Sequence, residues 1–283
     1  MRSLKTLLTG GGFFEGPRWH DGRWWVSDMF RRRVSAVDPR GREEEVMTVE
    51  GQPSGLGWMP DGSLLVVSMT DHRILRRSSN GRMTVHTDIT RLCSGWANDM
   101  VVDQAGRAYV GNFGFDLFGG ADPRPTTLVR VDADGSAVIV ADALRFPNGT
   151  VLAPDGRTLI VGETFGNRFS AFDVDADGSL SGRRIWAEEL PFSPDGCCLD
   201  ADGYIWSATT RSRCCRVGAG GEIVDEVLLP SELRAYACML GGEDGRTLLI
   251  CAVPNVRRAV RDPSLREAVL LTTTVDAPHA GLP

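Results

Sequence analysis

The sequence predicts an all-β six-bladed β-propeller, on the basis of a repeating turn, a repeating strand pattern and the lack of a helical period. Turn glycines recur at spacings of 40, 44, 50, 47 and 42 residues, at Gly22, Gly62, Gly106, Gly156, Gly203 and Gly245. A unit of this length with three or four short strands is typical of one propeller blade. No amphipathic helical segment intervenes, which disfavours a βαβ fold. Six units fill residues 1–283, which we expect to form a single domain.

The predicted strands follow these glycines in chain order. The first strand after each turn is rich in apolar residues and is predicted at 23–27, 63–68, 107–111, 157–162, 204–208 and 246–252. Five units continue with a second alternating segment, at 33–38, 73–77, 127–132, 168–173 and 213–217. Most units close with a further short strand, at 44–49, 83–87, 137–140 and 223–228. The sixth unit is the least regular, so its outer strands are expected from 267–275 or from the N-terminal residues 3–8, which would fasten the ring.

Composition limits the function classes. The chain is 42% hydrophobic and 24% charged, as expected for a soluble globular protein. Its net charge of −6 disfavours nucleic acid as a partner. No apolar stretch is long enough to span a membrane, and the first residues do not resemble a signal peptide. The seven cysteines lack C-x-x-C spacing, which favours buried thiols in a reducing cytoplasm. The oligomeric state stays open.

Four polar residues stand at matching points of the repeat. Asn98, Asn148 and Asp195 each precede their turn glycine by eight residues, and Glu15 precedes its own by seven. Closure of the ring would bring these side chains to one mouth of the central channel, together with the two remaining equivalents, Ser54 and Ala237. Two carboxylates and two amide oxygens suit a hard divalent cation such as Ca²⁺, Mg²⁺ or Mn²⁺, and suit Zn²⁺ less well. Alternatively, Asn148-Gly149 and Asp195-Gly196 could be ordinary turn dipeptides.

The motifs around these four positions carry a family resemblance. They are Glu15-Gly16-Pro17-x-Trp19, Asn98-Asp99 with Val102-Asp103-x-x-Gly106, Pro147-Asn148-Gly149 and Pro194-Asp195-Gly196. With them, nearly the whole chain resembles the senescence-marker-protein/gluconolactonase (regucalcin-like) family. The resemblance implies one divalent cation, Ca²⁺ first, bound by Glu15, Asn98, Asn148 and Asp195. It further implies hydrolysis of a lactone or related cyclic ester, with the cation as Lewis acid and Asp195 as general base, while Asn98 and Asn148 also bind substrate oxygens.

One departure from the family concerns the small-molecule substrate. Sugar-lactonase members commonly carry an arginine two residues before the third-blade asparagine, where this chain has Trp96. The long segment 113–126 adds further phenylalanines, among them Phe115, and is expected either to contact the ligand at the channel mouth or to form a small core of its own. Trp96 and Phe115 are therefore predicted to bind a less polar or aromatic substrate than gluconolactone.

Other readings of the sequence remain open. The chain could be a non-catalytic propeller that binds a metal or small ligand, or a propeller enzyme of another class, such as an organophosphate hydrolase or a non-hydrolytic isomerase or lyase. The EF-hand-like segment 173–178 is predicted to be a hairpin turn, because its twelfth position is Arg184. Asp28 and Glu163 follow strands and could either support the site or lie in surface turns.

Overall fold

The structure is a computed structural model that describes residues 2–283, and these residues form six antiparallel four-stranded sheets. This confirms the predicted six-bladed β-propeller. The strands before and within the first three blades are β1 (Lys5–Gly11), β2 (Phe14–His20), β3 (Arg23–Asp28), β4 (Arg33–Val37), β5 (Glu43–Thr48), β6 (Pro53–Trp58), β7 (Leu64–Ser68), β8 (Arg73–Arg77), β9 (Met83–Asp88), β10 (Ala97–Val102), β11 (Ala108–Asn112), β12 (Thr126–Val131) and β13 (Ala137–Leu144). The strands of the last three blades are β14 (Pro147–Leu152), β15 (Thr158–Glu163), β16 (Arg168–Val174), β17 (Leu180–Ala187), β18 (Cys197–Leu199), β19 (Ile205–Arg211), β20 (Arg213–Val217), β21 (Ile223–Leu228), β22 (Arg234–Gly241), β23 (Thr247–Val253) and β24 (Ala268–Thr274).

The sixth blade joins the two ends of the chain. Its sheet has the order β1-β24-β23-β22, so β24 is the third strand and the N-terminal β1 is the outermost. Lys5 pairs with Thr272, and Gly11 pairs with Ala268. Both candidate segments for this blade are therefore used. Backbone hydrogen bonds between the two ends of the chain close the ring.

The repeating glycines occupy turns that need a left-handed backbone. All six have a positive φ, between 68° and 83°, a region that glycine enters without steric cost. In the first blade, His20 pairs with Arg23 across a two-residue loop, and both Asp21 and Gly22 have positive φ. This is the geometry of a type I′ turn, whose twist matches that of the flanking strands. The segment 173–178 runs from β16 towards β17, as the hairpin prediction stated.

Inner strands are largely buried, whereas outer strands are largely exposed. Every residue of β10 and β14 is buried, while β13 exposes several of its positions. Such burial on both faces is expected where blades pack against each other around an axis. Among residues 2–283 the only α-helix is the short α1 (Val256–Arg261), whose N-cap Asn255 accepts a hydrogen bond from the Arg258 amide. No helix of these residues is long and apolar enough to cross a membrane.

Candidate active site

The four in-phase polar residues meet in one cavity. Glu15, Asn98, Asn148 and Asp195 all line a space of about 430 Å³ at one mouth of the channel. Each of the four side chains is buried, with 5% to 7% of its residue surface exposed. The sequence prediction that these residues come together is thus matched by the fold. Their roles in binding or chemistry are a separate question, taken up under the proposed function.

Bulges in the inner strands aim these side chains at the mouth. The pairing of β2 with β3 shifts register between Glu15 and Arg18, and that of β14 with β15 shifts between Pro147 and Thr150. The third blade shows the same shift between Ala97 and Met100. A bulge bends its strand and redirects a side chain, and bulges are common next to functional sites. The bulge is shared by the strands that carry Glu15, Asn98 and Asn148, whereas Asp195 lies just before β18, whose pairing with β19 shows no register shift.

Close packing between neighbouring inner strands requires glycine after three of the four polar residues. A Cβ on Gly149 would lie 2.4 Å from the Asp195 carbonyl oxygen, and one on Gly16 would lie 2.5 Å from the Ser54 carbonyl oxygen. A Cβ on Gly196 would meet the Ala237 side chain at 2.5 Å. Gly149 lies within β14, and the Gly196 amide donates to the Tyr236 carbonyl across the blade boundary. The turn-dipeptide alternative is therefore wrong, because these glycines permit the approach of strands.

The two carboxylates of the site lack a basic partner. Neither Glu15 nor Asp195 has a lysine, arginine or histidine nitrogen within 4.0 Å among residues 2–283. Burial raises the pKa of Glu15 well above its ordinary value, and the negative charges of Asp195 and Asp99 raise it further. Burial likewise raises the pKa of Asp195 to about 7, although hydrogen bonds from Asn148 and the Gly196 amide oppose the shift. Positive charge at the cavity would relieve this electrostatic cost.

The two amides complete an oxygen-rich wall. Asn148 Nδ2 donates to Asp195 Oδ1 at 2.5 Å and to Thr164 Oγ1 at 3.1 Å. The amide oxygen of Asn148, Oδ1, accepts no hydrogen bond from the described residues. Asn98 Oδ1 accepts a hydrogen bond from Ser54 Oγ at 3.4 Å, while Asn98 Nδ2 is buried with no partner in residues 2–283. Residues 2–283 contain no group of three or more His, Cys, Asp or Glu side chains with metal-binding geometry. A cation at this mouth would therefore need the amide oxygens as well as the two carboxylates, a set that suits a hard ion.

An ion pair that the repeat pattern did not reveal joins the inner strands of the first and third blades. Arg18 Nη2 donates to Asp99 Oδ1 at 2.7 Å, with both side chains almost fully buried. Arg18 also donates to the carbonyl oxygens of Leu56 and Met100, which ties the second blade into the same network. One sequence signal could have indicated this pair: Asp99 stands where four other blades have glycine after the in-phase residue. The guanidinium partly offsets the negative charge around Glu15.

Aromatic side chains form one wall of the cavity. Phe113, Phe118 and Phe146 line it, and the rings of Phe113 and Phe146 stack with centroids 4.5 Å apart. Trp96 and Phe115, which the sequence predicted to contact substrate, are outside the lining and lie behind it. Trp96 packs on Phe118 at 5.2 Å, and Phe115 packs on Phe146 at 6.1 Å. The loop thus combines both expected roles, since part of it lines the cavity and part forms a small core.

Two further buried carboxylates hold the segments around the mouth. Glu163 accepts hydrogen bonds from Arg168, Ser170 and the Arg145 amide. Burial acts to raise the pKa of Glu163, but these hydrogen bonds outweigh it and the pKa lies below the ordinary value. Asp28 accepts from the amides of Gly12 and Phe13, and burial raises its pKa to about 6. Both residues are fully buried, so the surface-turn alternative for them is wrong.

Several lining residues have no counterpart in the repeat pattern. Thr164 comes from the fourth blade, whereas Tyr236 and Arg257 both come from the sixth. Arg257, on α1, is the only basic side chain on the wall among residues 2–283. Phe146 has a φ of 63°, a left-handed backbone that is costly for a residue with a bulky side chain. No periodic signal marks these positions, because they lie in different kinds of element: Thr164 in a 3₁₀ turn, Tyr236 in β22 and Arg257 in α1.

Fold and mouth together define a six-bladed propeller with an oxygen-lined pocket at one end of its channel. Residues 13–253 match the family described as SMP-30/Gluconolactonase/LRE-like region, and the chain belongs to that family. Pentonolactonase XacC of Haloferax volcanii is 28% identical, covering 83% of this chain and 80% of its own. The 6-deoxy-6-sulfogluconolactonase of Pseudomonas putida is 26% identical with the same coverage. The structure of a calcium-binding protein, regucalcin, from Agrobacterium tumefaciens superposes with a TM-score of 0.82 at 19% identity, covering 100% of this chain and 97% of that one.

Proposed function

We propose that this protein is a divalent-metal-dependent hydrolase of a lactone or related cyclic ester. The observation that carries the proposal is the convergence of two buried carboxylates without basic partners, Glu15 and Asp195, with the amides of Asn98 and Asn148 in one open cavity. The names of two relatives, a pentonolactonase and a sulfogluconolactonase, support lactone chemistry. The small-molecule substrate would enter through the channel mouth.

The four residues fit one divalent cation, with Ca²⁺ the first choice and Mg²⁺, Mn²⁺ or Zn²⁺ as alternatives. Two carboxylate charges balance a 2+ ion, and all the available donor atoms are oxygen. Such an ion, when bound, supplies Lewis-acid polarisation of an ester carbonyl and stabilises the negative charge that develops on its oxygen. The remaining chemistry belongs to the side chains.

We assign Asp195 the role of general base. Asn148 Nδ2 and the Gly196 amide both hold Asp195 Oδ1, which leaves Oδ2 to accept a proton from water. The water oxygen then bonds to the acyl carbon, the bond from that carbon to the ring oxygen breaks, and the ring oxygen takes up the proton. The product is the open hydroxy acid. Asn98 and Asn148 are assigned to substrate oxygens as well as to the cation.

The aromatic wall favours a substrate less polar than a simple sugar lactone. Phe113, Phe118 and Phe146 present apolar faces to the cavity. We assign Trp96 and Phe115 to this preference through the wall residues on which they pack, Phe118 and Phe146.

The test is a hydrolysis screen on chelator-treated protein with Ca²⁺, Mg²⁺, Mn²⁺ or Zn²⁺ added back. Sugar lactones, alkyl lactones and aryl lactones form the panel, and turnover restored by metal with a preference for the apolar lactones is expected. Asp195→Ala should abolish turnover while circular dichroism shows an intact fold. Asp155→Asn, which changes a carboxylate on an exposed turn, is the control and should retain activity. Metal-independent turnover would refute the proposal, and metal binding without any turnover would favour a non-catalytic binding propeller.

A further inference from the structure

A second cavity adjoins the candidate active site. It measures about 360 Å³ and shares two wall residues, Phe146 and Phe165, with the cavity that holds the four polar residues. These two rings therefore separate two spaces at the same mouth, with centroids 5.3 Å apart. Phe165 is 42% exposed, so its outer face is open to a ligand that extends from one space into the other.

Two arginines that form no salt bridge among the described residues line the second cavity. Arg124 and Arg145 line it, and neither has a carboxylate oxygen within 4.0 Å among residues 2–283. Nearby arginines behave differently, since Arg168 and Arg183 both pair with Glu163. Within residues 2–283 no acidic side chain lines this space, although the chain as a whole has a net charge of −6. The cavity is a local positive site on an acidic protein.

The loop that supplies Arg124 is anchored at both ends. Asn112 Oδ1 accepts from the Gly114 amide at 3.0 Å and from Thr126 Oγ1 at 2.6 Å, and Asn112 Nδ2 donates to the Thr127 carbonyl. Asn112 itself is fully buried. On the opposite wall, the Arg145 amide donates to buried Glu163 at 2.8 Å. Both arginines thus extend from backbone segments that buried polar groups hold in place.

We propose that this cavity, the Arg124–Arg145 subsite, binds a carboxylate or sulfonate group of the substrate. Resting on the proposed function, the inference is that the substrate is an apolar lactone with an oxyanion at its far end. Its ring lies in the larger cavity, its apolar part crosses Phe146 and Phe165, and its anion reaches the subsite. Guanidinium groups bind planar oxyanions through paired hydrogen bonds, which makes arginine well suited to this role.

The probes are an aryl lactone with a carboxylate on a short flexible chain and the same lactone with a neutral carboxamide there. The wild-type protein should prefer the carboxylate in kcat/KM by about tenfold, the range of one charge-assisted contact at a partly exposed site. Raising the ionic strength should reduce the preference. The double variant Arg124→Gln/Arg145→Gln should lose it. The charge-matched control Arg40→Gln/Arg157→Gln removes two exposed arginines elsewhere and should keep it.

A preference that persists in Arg124→Gln/Arg145→Gln would overturn the subsite, as would equal turnover of both probes by the wild-type protein. Binding of the corresponding lactams, measured by calorimetry, separates this result from failure of the proposed hydrolysis. If neither lactone is hydrolysed, a tenfold tighter Kd for the carboxylate lactam that is lost in the double variant still supports the subsite. Equal Kd values for the two lactams would refute it.

Discussion

Replacement of Asp195 by asparagine tests whether the site holds uncompensated negative charge. The variant keeps the size of the side chain and an oxygen that can accept a hydrogen bond from Asn148 Nδ2. In the wild-type protein this nitrogen lies 2.5 Å from Asp195 Oδ1. It removes the charge and its repulsion of Glu15. We therefore expect the metal-free variant to be more stable than the metal-free wild-type protein at neutral pH, and to be inactive.

The magnitude follows from the pKa of the buried carboxyl. Burial raises the pKa of Asp195 from 3.8 to about 7, which corresponds to about 4 kcal/mol in the free energy of unfolding. Because the folded state holds the proton more tightly than the unfolded state, the folded protein loses stability as pH rises from about 4 to about 7. Below this window Asp195 is neutral in both states, so the difference between wild type and Asp195→Asn should be small there.

The assay is urea unfolding of chelator-treated wild type and Asp195→Asn at several pH values from 4 to 8. The difference in the free energy of unfolding between the variant and the wild-type protein should grow to about 4 kcal/mol in favour of the variant as pH rises. Added Ca²⁺ should narrow it by stabilising the wild-type protein, by about 2.7 kcal/mol at a hundredfold excess over Kd, with little effect on the variant. Parallel pH curves for the two proteins would refute the view that Asp195 is a buried, uncompensated carboxylate.

Three further predictions concern the surroundings of Asp195. Glu15→Gln should also stabilise the metal-free protein at neutral pH, since burial raises the pKa of Glu15. The same variant should bind Ca²⁺ more weakly in calorimetry, and an unchanged Ca²⁺ affinity would exclude Glu15 as a ligand. Gly149→Ala should lower the free energy of unfolding by about 2 kcal/mol or more and reduce activity, because its Cβ would lie 2.4 Å from the Asp195 carbonyl oxygen, and wild-type stability would contradict the close approach. Arg18→Met should cost about 3–5 kcal/mol by leaving Asp99 buried and unpaired. The double variant Arg18→Met/Asp99→Leu should recover much of that loss in urea unfolding, and no recovery would show that the Arg18 hydrogen bonds to backbone carbonyls dominate instead.

The candidate site was predictable as far as the repeat governs it. Four blades place the residue at this point of the repeat in one cavity, so the equal spacing of Asn98, Asn148 and Asp195 from their turn glycines was enough to predict that they come together. The contribution of Trp96 and Phe115 was predicted less well. Their place in the sequence is close to the mouth, but their rings turn behind Phe118 and Phe146. A side-chain direction within an irregular loop has no period from which it can be read.

By itself, the sequence determined the blade repeat and the polar residues at its start. The reason is local: a tight turn between twisted strands needs a left-handed residue, and the spacing of such glycines counts the blades. Only the tertiary structure decided that the carboxylates of Glu15 and Asp195 are buried with no basic partner in the described part of the chain. It also decided that Arg18 pairs with Asp99 and not with either of these carboxylates. These features depend on distances between blades far apart in the chain, and burial and charge pairing follow from those distances.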